Sequence, residues 1–149
     1  MANQPRTRST EPIDGYSLDD QIGFILRKVS QRHTAIFAAA FGSDLTAPQW
    51  ATLAKLYESG ATSQNQLGRL VALDAATIKG VVDRLGVRGF ITTSPDPDDA
   101  RRVRVTLTDA GRKEAERGFP IAAEITEETM APLDAGQRAQ LIALLKALS

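Results

Sequence analysis

A mainly helical fold with one small β-hairpin is predicted for this 149-residue chain by three features. Apolar residues recur at three- and four-residue steps through most of the sequence, as one buried face of an α-helix requires. That period breaks once, between Phe90 and Thr108, where polar and β-branched residues alternate as in a strand. Inside the break stands SPDPDDARRVRVTLT, residues 94–108, in which a tight acidic turn runs directly into Arg101, Arg102 and Arg104.

Each element follows from local chemistry. Residues 1–15 are polar, with Pro5, Pro12 and Gly15, and are expected to be a mobile tail. From Ser17 onward Ile22, Leu26, Val29, His33 and Ile36/Phe37 form a helical stripe that stops near Gly42. A second helix starts at Thr46-Ala47-Pro48, where proline suits the first turn, and carries Trp50, Leu53, Leu56 and Tyr57 to Gly60. Ser63-Gln64-Asn65-Gln66 fits a capping box, with Leu67, Leu70 and Val71 as the inner face of a short third helix. After a turn at Ala72-Leu73, Asp74 caps a fourth helix with Ile78, Val81/Val82 and Leu85 inward and Gly89 at its end. Phe90–Thr93 and Arg102–Leu107 read as paired strands joined by the turn Pro95–Asp99. Thr108 caps a long helix that Pro120 is expected to kink. Asp134 starts the last helix, which carries Leu141, Leu144/Leu145 and Leu148.

Helix, short helix, turn, helix and hairpin in that order make a winged helix-turn-helix, here a lobe over 46–107. The helices in 16–45 and 108–149 are more apolar than covering so small a lobe demands. They are expected to pair with a second copy across a two-fold axis, an intrachain bundle being the alternative.

Composition removes several classes of function. With 42% hydrophobic and 24% charged residues the chain is an ordinary soluble domain. No apolar run approaches the roughly 18 residues of a membrane span, and the first residues lack a signal-peptide core, so a cytoplasmic protein is expected. Zero cysteines exclude disulfides and thiolate metal sites, and a single histidine makes a metal cluster or other cofactor unexpected. An enzyme is not expected, because His33 has no nucleophile to serve and no glycine loop is built for phosphate. Eighteen basic and eighteen acidic residues cancel, which argues against coating nucleic acid at random but leaves local basic patches open.

Two constellations carry the candidate chemistry. On helix 74–88, Ala75, Ala76, Thr77 and Lys79 face outward if Ile78, Val82 and Leu85 face in. Small residues let a helix sit deep in the major groove, and lysine reaches guanine or phosphate. Five arginines (84, 88, 101, 102 and 104) and no lysine fall between 84 and 104. The planar guanidinium suits phosphate and narrow minor grooves, which singles out Arg84, Arg101 and Arg102. Asp99 is placed to pair with Arg101 and restrict where it points. Gln64 and Asn65 are candidates for backbone phosphates, or simply a solvated first turn. The alternative for the whole lobe is a protein-interaction module, since winged domains also do that; a steep salt dependence marks DNA binding instead. The second constellation is Arg27, Arg32, His33 and Trp50: a cation, an imidazole and an aromatic wall fit a small aromatic acid. A core histidine satisfied by a neighbour is the other explanation of His33.

The chain from about Leu18 onward resembles the MarR family of winged helix-turn-helix regulators. The specific element is a wing pattern, D-x-R-x-x-x-x-x-L-T, present here as Asp99, Arg101, Leu107 and Thr108, and preceded by VVDRLGVRGFI. The resemblance implies a homodimer formed by the first and last helices, which binds pseudo-palindromic double-stranded DNA. The fourth helix would enter the major groove and Arg101 the minor groove. It also implies an aromatic acid effector held between the dimerisation helices and the lobe. Gly80 and Thr92-Thr93 stand where the family more often has polar or basic residues, which puts a base contact at 80 in doubt. Within the family, IGFILRKVSQRHTAIF and SQNQLGRLVALDAATIKGVVDRL are similar to regulators of nicotinic acid breakdown. That similarity names 6-hydroxynicotinate as the candidate effector.

Overall fold

The computed structural model describes residues 13–149, so most of the expected N-terminal tail lies outside the described residues. A 3-10 turn, Leu18–Asp20, leads into α1 (Ile22–Phe41). There follow α2 (Ala47–Ser59), β1 (Thr62–Ser63), α3 (Gln64–Leu70), α4 (Ala75–Val87), β2 (Ile91–Pro95) and β3 (Val103–Leu107). The chain ends with α5 (Asp109–Thr129) and α6 (Ala135–Ala147).

The caps explain where the helices begin. Thr46 closes a full capping box with Gln49, with Pro48 in the first turn of α2. Asp74 accepts the Thr77 N–H at 2.7 Å, and Thr108 accepts the Gly111 N–H at 3.0 Å. The amide of Thr77 holds the Asp74 carboxyl below the usual aspartate range. Ser63 caps α3 through the Gln66 N–H, but the expected reciprocal arm is missing. The Gln66 side-chain oxygen instead accepts two bonds from Arg69, one turn on, so the capping box is half formed.

One core joins the lobe to the flanking helices, which add Ile36, Phe41, Ala115 and Ile125 to it. Leu53, Leu56, Leu67, Ile78, Val81, Val82, Leu85, Ile91 and Val105 are buried together. Leu70, expected on the inner face, is exposed. Its place is taken by buried Gly68, where a Cβ would come within 3.1 Å of the Ile78 side chain. The short α3 therefore packs by close backbone approach rather than by a second leucine.

The hairpin is part of a three-stranded antiparallel sheet in the order β1-β3-β2. Ile91 pairs with Leu107 and Pro95 with Val103, which moves the expected turn from 95–99 to 96–102. The third strand, Thr62↔Val105 and Ser63↔Arg104, is unexpected. Two residues are too few to show a period, so the sequence reads there only as the start of α3. β3 thus lies in the middle, and the wing root is tied to the first turn of α3.

α5 runs through Pro120 as one helix, although proline removes a backbone donor there. Its N-terminal part is packed by glycine. A Cβ at Gly111 would collide with the Phe90 carbonyl, and one at Gly118 with the ring of Trp50. Trp50 sits in an aromatic stack with Phe41 at 5.4 Å and Phe119 at 5.2 Å between ring centres. α6 buries none of its residues within the chain.

Candidate DNA-binding face and effector cleft

Two adjoining grooves on one side of the lobe collect most of the residues expected to touch DNA. The first, about 200 Å3, lies between the start of α3 and the wing and is lined by Ser63, Gln64, Asn65, Arg101, Arg102 and Val103. The second, about 360 Å3, runs between α3 and the start of α4 along Asn65, Gly68, Arg69, Asp74 and Ala75. Asn65 belongs to both. Ala75, Ala76, Thr77 and Lys79 are exposed on the first turns of α4, where the Thr77 N–H is already taken by Asp74.

The wing tip is organised by Asp99. Its carboxylate accepts the Arg101 backbone N–H at 3.0 Å, Arg101 Nε at 3.1 Å and Nη2 at 3.2 Å, and Arg102 stands 3.7 Å away. The Arg101 guanidinium is the main cause that holds the Asp99 carboxyl below the ordinary aspartate range. The Arg101 side chain nevertheless stays 91% exposed. One edge of the guanidinium is thus fixed on Asp99 while the rest stands in solvent, an arrangement that suits a minor-groove contact.

Two expected residues behave differently. Lys79 Nζ is bound to Asp83 at 2.8 Å, one turn along α4. The Arg84 guanidinium folds over Gly80, close enough that a Cβ at 80 would stand 3.2 Å from it. Arg84 then lines a separate depression with Gln49, Asp83, Val87 and Arg88, apart from the two grooves. Gly80 thus serves to seat Arg84 rather than to reach a base. Arg69 was not singled out in the sequence, yet it lines the second groove with its guanidinium held by Gln66. The only signal was the Gln66–Arg69 spacing of three on one helix.

The second constellation lies on α1. His33, Thr34, Phe37 and Ala38 form one wall of a cleft of about 350 Å3 whose other wall is Gly42 and Leu45–Pro48. Such a volume falls in the small-molecule range of about 300–1,000 Å3. His33 is exposed rather than a core residue, and its Nδ1 stands 2.9 Å from Thr129 Oγ1 at the end of α5. Arg32 donates to the carbonyls of Glu128 and Thr129, which clamps α5 to α1. Arg27 lines a shallow apolar depression with Ser30, Gln31, Thr34, Ala35 and Ala38. Thr34 and Ala38 are shared with the His33 cleft, so the two depressions adjoin along α1. Trp50 stands behind the cleft in its aromatic stack and is not among the lining residues.

The loop between α1 and α2 also touches the DNA-binding lobe. Arg88, just past α4, donates to the Asp44 carbonyl. The Asp44 carboxylate stands 3.5 Å from Arg117, which is paired with Glu114 on α5.

Known proteins resemble this chain along most of its length. The MarR family profile matches residues 45–103. The chain is 42% identical, over 94% of its length and 90% of the relative, to the HTH-type transcriptional repressor NicR of Pseudomonas putida. A crystal structure of a probable transcriptional regulator from Pseudomonas aeruginosa superposes with a TM-score of 0.86 at 54% identity, covering 89% of this chain and all of that one. BpsR of Bordetella bronchiseptica, whose DNA binding is regulated by 6-hydroxynicotinic acid, superposes at 0.87 with 39% identity, over 89% of this chain and 96% of its own. With its wing, its helix-turn-helix and relatives alike along nearly their whole length, the chain belongs to the MarR family of DNA-binding transcriptional regulators.

Proposed function

We propose that the chain works as a homodimeric repressor whose hold on a pseudo-palindromic operator is released by a small aromatic acid of the hydroxynicotinate class. The observation that carries the DNA half is the gathering of Gln64, Asn65, Ala75, Arg101 and Arg102 around two adjoining grooves, with Ala76 and Thr77 exposed on the next residues of α4. The first turns of α4 enter the major groove, Gln64, Asn65 and Arg102 meet backbone phosphates, and Arg101 reaches the minor groove. Lys79 and Arg84 contribute to phosphate binding only after leaving Asp83 and the Gly80 surface.

The effector half is supported by the cleft beside His33 and by the likeness to NicR and to BpsR, the latter answering to 6-hydroxynicotinic acid. Arg32 is occupied by the end of α5, so Arg27 is assigned to the carboxylate. His33 takes a polar atom of the ring. Trp50 acts through the stack that backs the cleft. The acid must bind the dimer geometry that cannot span two half-sites more tightly than the one that can. Helices α1, α5 and α6 are assigned to the dimer interface and residues 46–107 to DNA. A cytoplasmic location fits transcriptional control, and among the described residues no helix is long and apolar enough to cross a membrane.

Fluorescence anisotropy on a duplex from upstream of the protein's own gene tests this directly. Expected is binding that resists random competitor DNA, weakens steeply with salt, and is relieved by 6-hydroxynicotinate. Equal binding to random duplex would remove the operator, and binding untouched by the acid would remove the effector.

A further inference from the structure

The end of α5 fixes which nitrogen of His33 carries the proton. Thr129 Oγ1 lies 2.7 Å from the Ile125 carbonyl oxygen. A carbonyl only accepts, so the one hydroxyl proton of Thr129 is committed there. The same hydroxyl oxygen lies 2.9 Å from His33 Nδ1. With its proton spent, Thr129 can only accept from the imidazole, which puts the imidazole proton on Nδ1. In a neutral ring the other nitrogen then carries a lone pair. Nε2 has no protein partner among the described residues, and its side chain lines the cleft. The contact is braced from both sides: Arg32, the preceding residue, donates to the carbonyls of Glu128 and Thr129.

We propose that Thr129 is a positioning residue that makes His33 a hydrogen-bond acceptor toward the cleft, so that the site selects aromatic acids bearing a proton donor on the ring. This rests on the effector role proposed above and specifies the chemistry it recognises. A hydroxylated pyridine carboxylate carries such a proton, as O–H or, in its oxo form, as ring N–H. Unsubstituted nicotinate offers only a lone pair on its ring nitrogen, which faces the Nε2 lone pair without a proton between them. A site built around a hydrogen bond discriminates strongly against the analogue that lacks it.

The chain has one histidine, so protein labelled with nitrogen-15 histidine gives a single imidazole pattern. At a pH where the ring is neutral, the ligand-free wild type is expected to show a protonated Nδ1 and a bare Nε2. Thr129→Val keeps the side-chain shape but removes the acceptor, and the ring should shift to the Nε2–H form that free histidine side chains favour. Thr129→Ser should restore the wild-type pattern. Calorimetry adds the ligand side: the wild type should bind 6-hydroxynicotinate at least about tenfold more tightly than nicotinate. In Thr129→Val that ratio should fall below about threefold, through loss of affinity for the hydroxylated acid, and Thr129→Ser should regain it. A bare Nδ1 in the wild type, or a ratio unchanged in Thr129→Val, overturns the proposal. If neither acid binds while Nδ1 is protonated, the effector role itself is refuted and the selectivity goes with it.

Discussion

The winged lobe and the helices that flank it bury their apolar side chains by different means. Leu53, Leu67, Ile78, Leu85 and Val105 are enclosed within one copy of the chain. In the flanking helices, Ile22 is 61%, Leu144 58% and Leu148 74% exposed. Scattered surface leucines need no explanation, but this run covers α1 and α6 while the lobe shows few. The lobe core is closed within one copy, partly by Phe41, Ala115 and Ile125 of the flanks, whereas the outer faces of α1 and α6 are left uncovered. Stability measured on such a molecule reports two things, internal packing and association, and substitutions can separate them.

Leu67→Ala is expected to have the largest effect on stability. It empties a fully enclosed site and should lower the unfolding free energy by about 2–5 kcal/mol, read by urea denaturation followed by circular dichroism. Leu144→Ala should cost far less at low protein concentration; equal losses would abolish the contrast. Next comes the pair Ile22→Glu with Leu144→Glu, which puts charge on the exposed apolar faces. Sedimentation should show a monomer that keeps its helical spectrum, and operator affinity should drop at least about a hundredfold as one half-site is lost. A dimer that survives would move the interface elsewhere.

Arg101→Ala leaves both cores alone and should weaken operator binding about tenfold, more where the DNA under the wing is rich in A·T. Fold and dimer should be unchanged. The smallest effect belongs to Asp99. Its carboxyl is held low by Arg101, so the wing-tip pairing is complete above the ordinary aspartate range. It is lost only as pH falls through the depressed value. A carbon-13 carboxyl titration should place the Asp99 midpoint below that of an unpaired aspartate, and Arg101→Ala should return it upward. No change in the variant would separate the two residues.

The lobe was legible in the sequence because its signals are local. Thr46, Asp74 and Thr108 each cap the helix that follows by accepting the N–H three residues on, and Ile78, Val82 and Leu85 repeat at helical spacing. Asp99 and Arg101 are two residues apart, so their pairing was visible as a spacing. What failed was non-local. The strand at Thr62–Ser63 exists only because β3 passes beside it. In the cleft, His33 was visible as an oddity on an apolar stripe, but Thr129 lies 96 residues away and nothing links them in sequence. Trp50 looked like a cleft wall because it is aromatic; it is instead held against Gly118 and Phe119, a packing decided by helix approach.

The glycine contacts of α5 have a mechanical consequence. Gly111 brings the first turns of the helix against the Phe90 carbonyl, at the root of the wing, with no side chain between them to give way. The far end, at Thr129, is bolted to α1 through Arg32 and His33. From Gly111 to Thr129 the helix makes a rod about 27 Å long. Such a rod acts as a lever: tilting it by about 7° at one end carries the other about 3 Å, close to the rise of one base pair. An adjustment too small to disturb any core can therefore shift a wing by a full step along a duplex.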